Sequence, residues 1–516
     1  MALVSVLARK FIRDISRNKL QFGAAILTVF LGVALYSSLV MAMDNLNRSY
    51  EYAYDRLNYA DFTVYLQPTP ISVLDRLKSI DNVDELEGRV SSGIGIYINS
   101  SRQIVGLAIG LNTSRRPRVN GVKIEDGRYF HSGEWNVCLV ERHLANAYGY
   151  HAGDRINLII RGKIYMFKVV GVVASPEFLI LVNEYTGISS GYTYGVVFLP
   201  MGQLQELLNM TSLINEILVT VVDRSRIDDT IDRFREILEP YGIIRIVKGE
   251  DRPSYKFLKW DLEGFGEISI LFPSLILLVA VIEVYSILKR LIISQQKEIG
   301  ILKALGFSNK RIMLHYMLYA FFVGSIGSIS GALFSIFLSA EMTHMYTEAL
   351  GIPFTIVSVD FSVIFKAVAM GIATCLLAAL LPCYMIVRMN PADAMKPYIS
   401  VQMAKYRVPL MEKVVDRVRK TSIHMKIVLR NIFRNRSRAV GTLIGVAFSI
   451  MLTLSMIGLM DSFYANIYMQ YDYYMEWDLR VHFSRMKEIG EIYRLRDIDL
   501  SLIHISEPTR PRLISY

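Results

Sequence analysis

The 516-residue chain is 52% hydrophobic and 20% charged, with a formal net charge of +10 and a mean hydropathy of +0.33. That balance argues against a string of soluble domains and points to membrane spans. Of three cysteines, Cys375 and Cys383 fall in or at the end of one apolar run, so no intramolecular disulfide framework or cysteine-built metal site is expected.

A bilayer core of about 30 Å needs about 20 mostly apolar residues. Five segments qualify: 20–43, 268–288, 312–340, 361–387 and 439–460. The first and last carry no charge, and the others carry one ionisable residue each, Glu283, His315 and Lys366. Residues 1–19 are a basic lead-in with Arg9, Lys10, Arg13, Arg17 and Lys19. The first run is too long for a signal-peptide core and lacks a small-residue cleavage site, so it reads as an uncleaved anchor.

After the first span, residues 44–66 read as a helix continuing outward and then a strand. The β-branched stretches 167–174, 195–200 and 216–223 read as strands. Helical spacing marks 71–80, 201–210 and 225–242, the last with Ile227, Ile231, Phe234 and Ile237/Leu238 along one side. Residues 44–267 therefore form an α+β domain with a mainly antiparallel sheet.

Chemistry-bearing motifs in this domain are decoys. "GISSG" (187–191) lacks the preceding strand and following helix of a nucleophile elbow and reads as a loop. His131, His143 and His151 have spacings that match no metal-ligand pattern. There is no H-E-x-x-H and no P-loop, so neither a metal, a cofactor nor ATP is expected on this chain, and it is not read as an enzyme.

Basic residues set the topology. They crowd the lead-in, the 289–311 loop (Lys289, Arg290, Lys297, Lys303, Lys310, Arg311) and the linker 398–438, whereas the loop between the third and fourth spans holds Glu341, Glu348 and Asp360. By the positive-inside rule the N-terminus is cytoplasmic and 44–267 is extracytoplasmic. The positive charge thus belongs beside lipid headgroups. No basic–aromatic pattern supports nucleic-acid binding.

Between the second and third spans, "QQKEIGILKALGFSNKRI" (295–312) reads as a short helix at the inner face. Projection puts Ile292, Ile299, Leu302 and Leu305 on one side and Gln296, Lys297 and Lys303 on another. Gly306 ends it and Ser308 caps the next helix. An interfacial helix on headgroups and a handle for a cytoplasmic partner fit this pattern equally. In the third span, Gly324, Ser328 and Ala332 form one small-residue line and Gly327, Gly331 and Ser335 the next, a pattern for close helix packing. Glu283 and Lys366 lie near span ends, where they can snorkel.

The chain repeats its own beginning. "IRDISRNK" (12–19) matches "LRNIFRNR" (429–436), and the same ungapped offset of 417 pairs the first and fifth spans, Asp44 with Asp461, and "DFTVYL" with "DLRVHF". Two units follow, the second truncated: linker 398–438, span 439–460 and the start of a second extracytoplasmic domain at 461–500. The ending 501–516 resembles translated sequencing-adapter read-through and is set aside as a non-native tail.

The stretch 295–335 closely resembles the signature of FtsX-like ABC transporter permeases, the MacB and LolC/LolE type. "LPCYMIVRMNPADAMKP" (381–397) resembles the same family's closing segment. "DGRYF", "LVERHLANAYGYHAGDRI", "FKVVGVV" and "VVFLPMGQLQELL" resemble its MacB-like periplasmic core. The resemblance implies an α-helical multi-pass plasma-membrane protein, a tandem permease with FtsX-like domain 268–397. It also implies pairing with a cytoplasmic ABC ATPase dimer, which would bind the ATP, and contact with membrane lipids and an extracytoplasmic substrate or adaptor protein.

In that family the loop matching 291–309 is the coupling helix. Here its ATPase-contact positions would be Lys297, Glu298, Ile299, Gly300, Leu302, Lys303, Leu305 and Gly306. The implied function is mechanotransmission: ATP hydrolysis by the separate subunit reshapes the extracytoplasmic domain, for export or extraction of a lipoprotein, lipid, peptide or drug-like substrate. The alternative is an extracytoplasmic sensor without transport activity, which the short cytoplasmic segments disfavour.

Overall fold

The computed structural model describes residues 2–99, 102–183, 187–392 and 436–469. It divides into two units, Met1–Tyr406 and Arg407–Tyr516, each described by itself. The first opens with α1 (Ala2–Arg17), which breaks at Asn18 before α2 (Lys19–Arg56). The apolar stretch of α2 runs on into a polar, Tyr-rich extension, and strand β1 (Phe62–Pro70) follows, as the sequence suggests.

The α+β domain contains two sheets. The first is built from β1, α3 (Val73–Leu77), β2 (Val83–Arg89), β12 (Leu213–Val221), α6 (Ile227–Leu238) and β13 (Ile243–Lys248). Its order β13-β1-β12-β2 is antiparallel throughout, a βαββαβ ferredoxin-like layer. Ile231, Phe234 and Leu238 of α6 are buried against Phe62, Val64 and Ile217, the face expected from the helical spacing. Everything between β2 and β12 is inserted where that fold ordinarily has a hairpin.

The insertion is a barrel. It comprises β3 (Ser91–Asn99), β4 (Arg102–Leu111), β5 (Lys123–Gly127), β6 (Val137–Glu141), α4 (Arg142–Tyr148), β7 (Arg155–Ile160), β8 (Lys163–Ala174), the short pair β9 (Val182–Asn183) and β10 (Gly187–Ile188), β11 (Tyr194–Pro200) and α5 (Met201–Leu207). The order β8-β6-β11-β4-β3-β7 closes because β7 pairs again with β8, while β5 flanks β8. The β7–β8 hairpin turns on Arg161 (φ 51°) and Gly162 (φ 77°), positive at both central positions as a type I′ turn requires. The expectation of a mainly antiparallel sheet holds in both sheets; in the barrel β4–β11 and β6–β8 are the parallel pairs.

The remaining helices are α7 (Pro253–Ser294), α8 (Gln296–Ala304), α9 (Asn309–Ala349) and α10 (Phe361–Arg388). Among the described residues, α2, α7, α9 and α10 are long and apolar enough to cross a membrane. At 1.5 Å per residue the 42 residues of α7 extend about 63 Å. Its first turns, inside the segment 44–267 assigned from sequence to the soluble part, are thus a helical stem beneath the domain. In the bundle α2 packs on α7 and α9, and α10 closes the ring against the same two, leaving α7 and α9 diagonal.

In the second unit, α11 (Arg436–Tyr468) covers the fifth expected span. The linker 398–435, most of the second soluble segment (470–500) and the tail 501–516 lie outside the described residues.

Candidate functional site

Because α7 and α9 are diagonal, their connection crosses the end of the bundle distal to the α+β domain, and α8 is that crossing. Its only non-helical join to α7 is Gln295 (φ −101°, ψ 16°). At the other end Gly306 takes φ +86°, where an added Cβ would meet nothing, so glycine is required there by conformation rather than space. Ser308 then caps α9, its hydroxyl accepting from the Arg311 N–H.

The sequence-derived contact positions divide. Ile299 and Gly300 are buried, and Ile299 packs with Leu291, Ile292 and Ile312 in the bundle core. Leu302 is partly buried against the same core. Lys303 turns inward as well: its Nζ donates to the Ile386 and Met389 carbonyls (2.5 and 2.7 Å). These carbonyls end α10, where the helix dipole and unpaired C=O groups favour a cation.

Lys297, Glu298, Leu305 and Gly306 are exposed. Projection put Leu305 with Ile299, but the helix stops at Ala304. As the C-cap residue, Leu305 is 71% exposed. Sequence reasoning missed Ile301, which is 51% exposed on the same outward surface. Glu298 pairs with Lys10 of α1.

The two small-residue lines of α9 serve two neighbours. An added Cβ on Gly327 would lie 2.8 Å from Val29 Cβ, and one on Gly331 would lie 2.6 Å from the Phe30 carbonyl oxygen, both on α2. Gly324 instead approaches α10, 3.1 Å from Ile372 Cα, and Ser328 fills the space beside Gly371 of α10. Ala332 is buried in the shared core. Glu283 does not rely on solvent alone, since its Oε2 accepts from the Thr28 hydroxyl at 2.9 Å.

At the proximal end the bundle holds the α+β domain at three places. The first is the continuous run of α2 into β1. The second is a buried charge quartet at the start of α7. Arg89, at the end of β2, donates to both Glu177 oxygens (2.6 Å each) and both Glu216 oxygens (2.9 Å each). Arg252, the residue before α7, donates to Glu177 Oε2 (2.6 Å) and to the Thr63 hydroxyl (2.5 Å). Burial works against charging Glu177, but Arg89 and Arg252 outweigh it and hold its carboxyl down at about 2. A cleft of about 730 Å³ opens beside this quartet, lined also by Tyr65, Leu107, Tyr194 and Arg245.

The third attachment is the strap 350–360 between α9 and α10. Lys123 of β5 donates to the Pro353 carbonyl and stands 4.6 Å from the Phe354 ring centroid. On the other side Ser49 accepts from the Ile356 N–H (2.9 Å), and Asn45 Oδ1 accepts from the Ser358 N–H (3.0 Å). Gly351 lies against His143 of α4.

His143 is committed to Glu141 at 2.9 Å, and His151 faces Asp126. Among the described residues no three His, Cys, Asp or Glu side chains gather as a metal site would need. "GISSG" begins with the two residues of β10, with no helix after it, so no elbow is formed.

Residues 22–237 match the MacB-like periplasmic core domain family and residues 270–391 the FtsX-like permease C-terminal family. The chain belongs to the FtsX-like ABC transporter permeases of MacB type. This permease is 23% identical over 267 residues to an uncharacterized ABC transporter permease protein of Mycobacterium tuberculosis, covering 51% of this chain and 29% of the other. It is 25% identical over 199 residues to an uncharacterized membrane protein of Buchnera aphidicola subsp. Schizaphis graminum, covering 38% and 46%. The permease thus spans less than half the length of these curated relatives.

Two solved structures are similar in part. One is the extracellular domain of the ABC-type transporter YknZ from Gram-positive bacteria, at 13% identity and TM-score 0.25, covering 36% of this chain and 100% of that one. The other is the periplasmic region of MacB from Actinobacillus actinomycetemcomitans, at 14% identity and TM-score 0.26, covering 39% and 92%.

Proposed function

We propose that this permease spans the cell membrane as the transmembrane subunit of an ABC transporter, taking force from a separate cytoplasmic ATPase at α8 and delivering it to the α+β domain outside. The observation that carries this is the diagonal crossing. A load on α8 reaches α7 and α9 together, and both run the length of the bundle to attachments on the domain, α7 through Arg252 and α9 through the strap. Orientation follows from charge: Lys10, Lys297, Lys303, Lys310 and Arg311 cluster at the distal end, and Glu348 and Asp360 at the proximal end.

Within α8, Lys297, Glu298, Ile301, Leu305 and Gly306 offer the contact surface, while Ile299, Gly300, Leu302 and Lys303 anchor the helix to the bundle. Tightly nested glycine faces suit transmission of displacement better than a polar conduit. The moved substrate class is a lipoprotein, lipid, peptide or drug-like molecule.

The test is co-purification with the ATPase subunit. The double variant Ile301→Asp/Leu305→Asp places charge only on exposed positions, so the bundle should fold and ATPase binding should be lost. Retained binding by the folded variant sinks the reading.

The sensor alternative draws on one observation, the 730 Å³ cleft beside the α7 attachment. Its size suits a small ligand. A ligand that binds there and shifts α7 with no ATPase required would favour that reading.

A further inference from the structure

We propose that α1 is a latch on the α7–α8 joint, with Asp14 as the positioning residue that sets where α8 stands. This inference rests on α8 being the partner-contacting helix. Asp14 is only 9% exposed, and its Oδ2 accepts two hydrogen bonds, from Gln295 Nε2 and from the Tyr319 hydroxyl, each at 2.8 Å. Gln295 Oε1 in turn accepts from the Tyr316 hydroxyl at 2.7 Å. One carboxylate on α1 therefore holds the single non-helical residue between α7 and α8, together with two tyrosines of α9.

Neighbouring contacts extend the grip. Phe11 lies against Tyr319 (ring centroids 4.7 Å apart) and edge-on to Phe322 (5.5 Å), and Lys10 pairs with Glu298 on α8 itself. The His315 ring sits 5.5 Å from both tyrosine rings, with its Nε2 buried and without a hydrogen-bond partner among the described residues.

A lead-in that served only to lie among headgroups would turn its charges outward. Asp14 does the reverse. A buried carboxylate held by neutral donors is costly, and in some proteins such groups specify one arrangement over others. Here the arrangement specified is the angle between α7 and α8, because removing Asp14 leaves Gln295 without its acceptor and the joint free to rotate.

The sequence repeat separates this role from the scaffold. At the offset of 417, Arg13, Ile15, Arg17 and Asn18 recur as Arg430, Ile432, Arg434 and Asn435, whereas Asp14 falls on Asn431 and Lys10 on Ile427. The second lead-in sequence thus carries neither charged residue, so the charged latch belongs to the first.

Spin labels on Ile12→Cys of α1 and Ile301→Cys of α8, both exposed, report the latch by double electron–electron resonance on the full chain in lipid nanodiscs. No ATPase is present. The three native cysteines are buried. The wild-type background should give one narrow distance distribution. Asp14→Ala should lose it for a longer, broader one. The near-isosteric Asp14→Asn, which keeps an acceptor without the charge, should fall between, a gradation that a pure packing role would not produce.

Labels on Leu27 and Leu333 monitor the α2–α9 pair and should be unmoved. If they show that Asp14→Ala does not fold, Gln295→Ala decides in its place. A folded variant that keeps the wild-type distribution overturns the latch. Because no partner takes part, that result is independent of whether Ile301→Asp/Leu305→Asp abolishes ATPase binding.

Discussion

Arg252, the last residue before α7, donates to Glu177 Oε2 across 2.6 Å, and the same carboxylate receives both terminal nitrogens of Arg89. One buried carboxyl thus joins the helix that descends into the bundle to the strand that leads into the barrel. Removing a single partner of a buried ion pair leaves an uncompensated charge and costs about 3–5 kcal/mol. Arg252→Ala should therefore lower the unfolding temperature of the α+β domain, and Arg89→Ala should lower it further, since Arg89 donates two hydrogen bonds to each of Glu177 and Glu216, whereas Arg252 stands 3.7 Å from Glu216. Calorimetry in detergent checks the order.

The same carboxylate makes a pH prediction. Glu177 is held at about 2, below its ordinary 4.5, because Arg89 and Arg252 overcome the effect of burial. A depressed acid contributes stability that is complete above about 4.5 and disappears as pH falls towards 2. Denaturant midpoints measured between those limits should fall steeply in the wild type and less so in Glu177→Gln, whose baseline is lower at neutral pH. Parallel curves would show that Glu177 is not the group responsible.

His143 acts in the opposite direction. Burial pulls the imidazole down, but the Glu141 carboxylate, through charge and a 2.9 Å hydrogen bond, outweighs it and the net shift is upward. A raised base contributes stability that is complete below about 6.5 and is lost as pH climbs through the higher folded value. Since His143 abuts Gly351, strap docking should weaken as pH rises from about 6.5 through that higher value. Proteolysis at the strap, normalised to an unstructured control peptide at each pH, should accelerate in the wild type. In His143→Gln it should be nearly flat with pH.

Much of this architecture is visible in the sequence because it rests on local pattern. The helix stop at Gly306, the Ser308 cap and the buried side of α6 are each set by residues within a turn or two of one another. The quartet is not local: Arg89, Glu177, Glu216 and Arg252 meet only after β2, β12, the barrel and α7 have assembled. The one hint was charge at the margins of apolar strands, as in "EILVTVVD". Parallel pairing of β4 with β11 was hidden for a related reason, since short strands carry no mark of their neighbour's direction. On α8 the projection grouped Leu305 with Ile299 and passed over Ile301, because a helical wheel shows neither where the helix stops nor that it is covered on one side only.

Gly351 combines two requirements in one position. Its φ is +69°, and a Cβ there would lie 2.7 Å from His143 Cε1 and 3.3 Å from the Leu179 carbonyl oxygen. Left-handed backbone costs a non-glycine residue about 1–2 kcal/mol before any clash is counted. Gly351→Ala should release the strap from α4 while the contacts of Ser49 and Asn45 with 356–358 persist. Hydrogen exchange should then rise at 351–354 and stay unchanged at 356 and 358. A uniform rise along the strap would mean that it docks as one piece.

Gly331 offers the most direct test of transmission through the bundle. A Cβ at this position meets the Phe30 carbonyl oxygen at 2.6 Å, and main chain cannot step aside as a side chain could. At Gly324 the nearest atoms are 3.1 Å away, a separation that a few tenths of an ångström of movement relieves. Gly331→Ala should therefore push α2 and α9 apart, whereas Gly324→Ala should leave the bundle nearly as it is. Cysteine cross-linking between Leu27 and Leu333 positions, both on the outside of the bundle, reads that separation without reference to any partner. If α2 and α9 carry displacement as one unit, Gly331→Ala should also uncouple ATP turnover from movement of the α+β domain, with ATPase binding retained. Equal cross-linking in the two alanine variants would show that the α2–α9 contact tolerates slack and is not a rigid part of the lever.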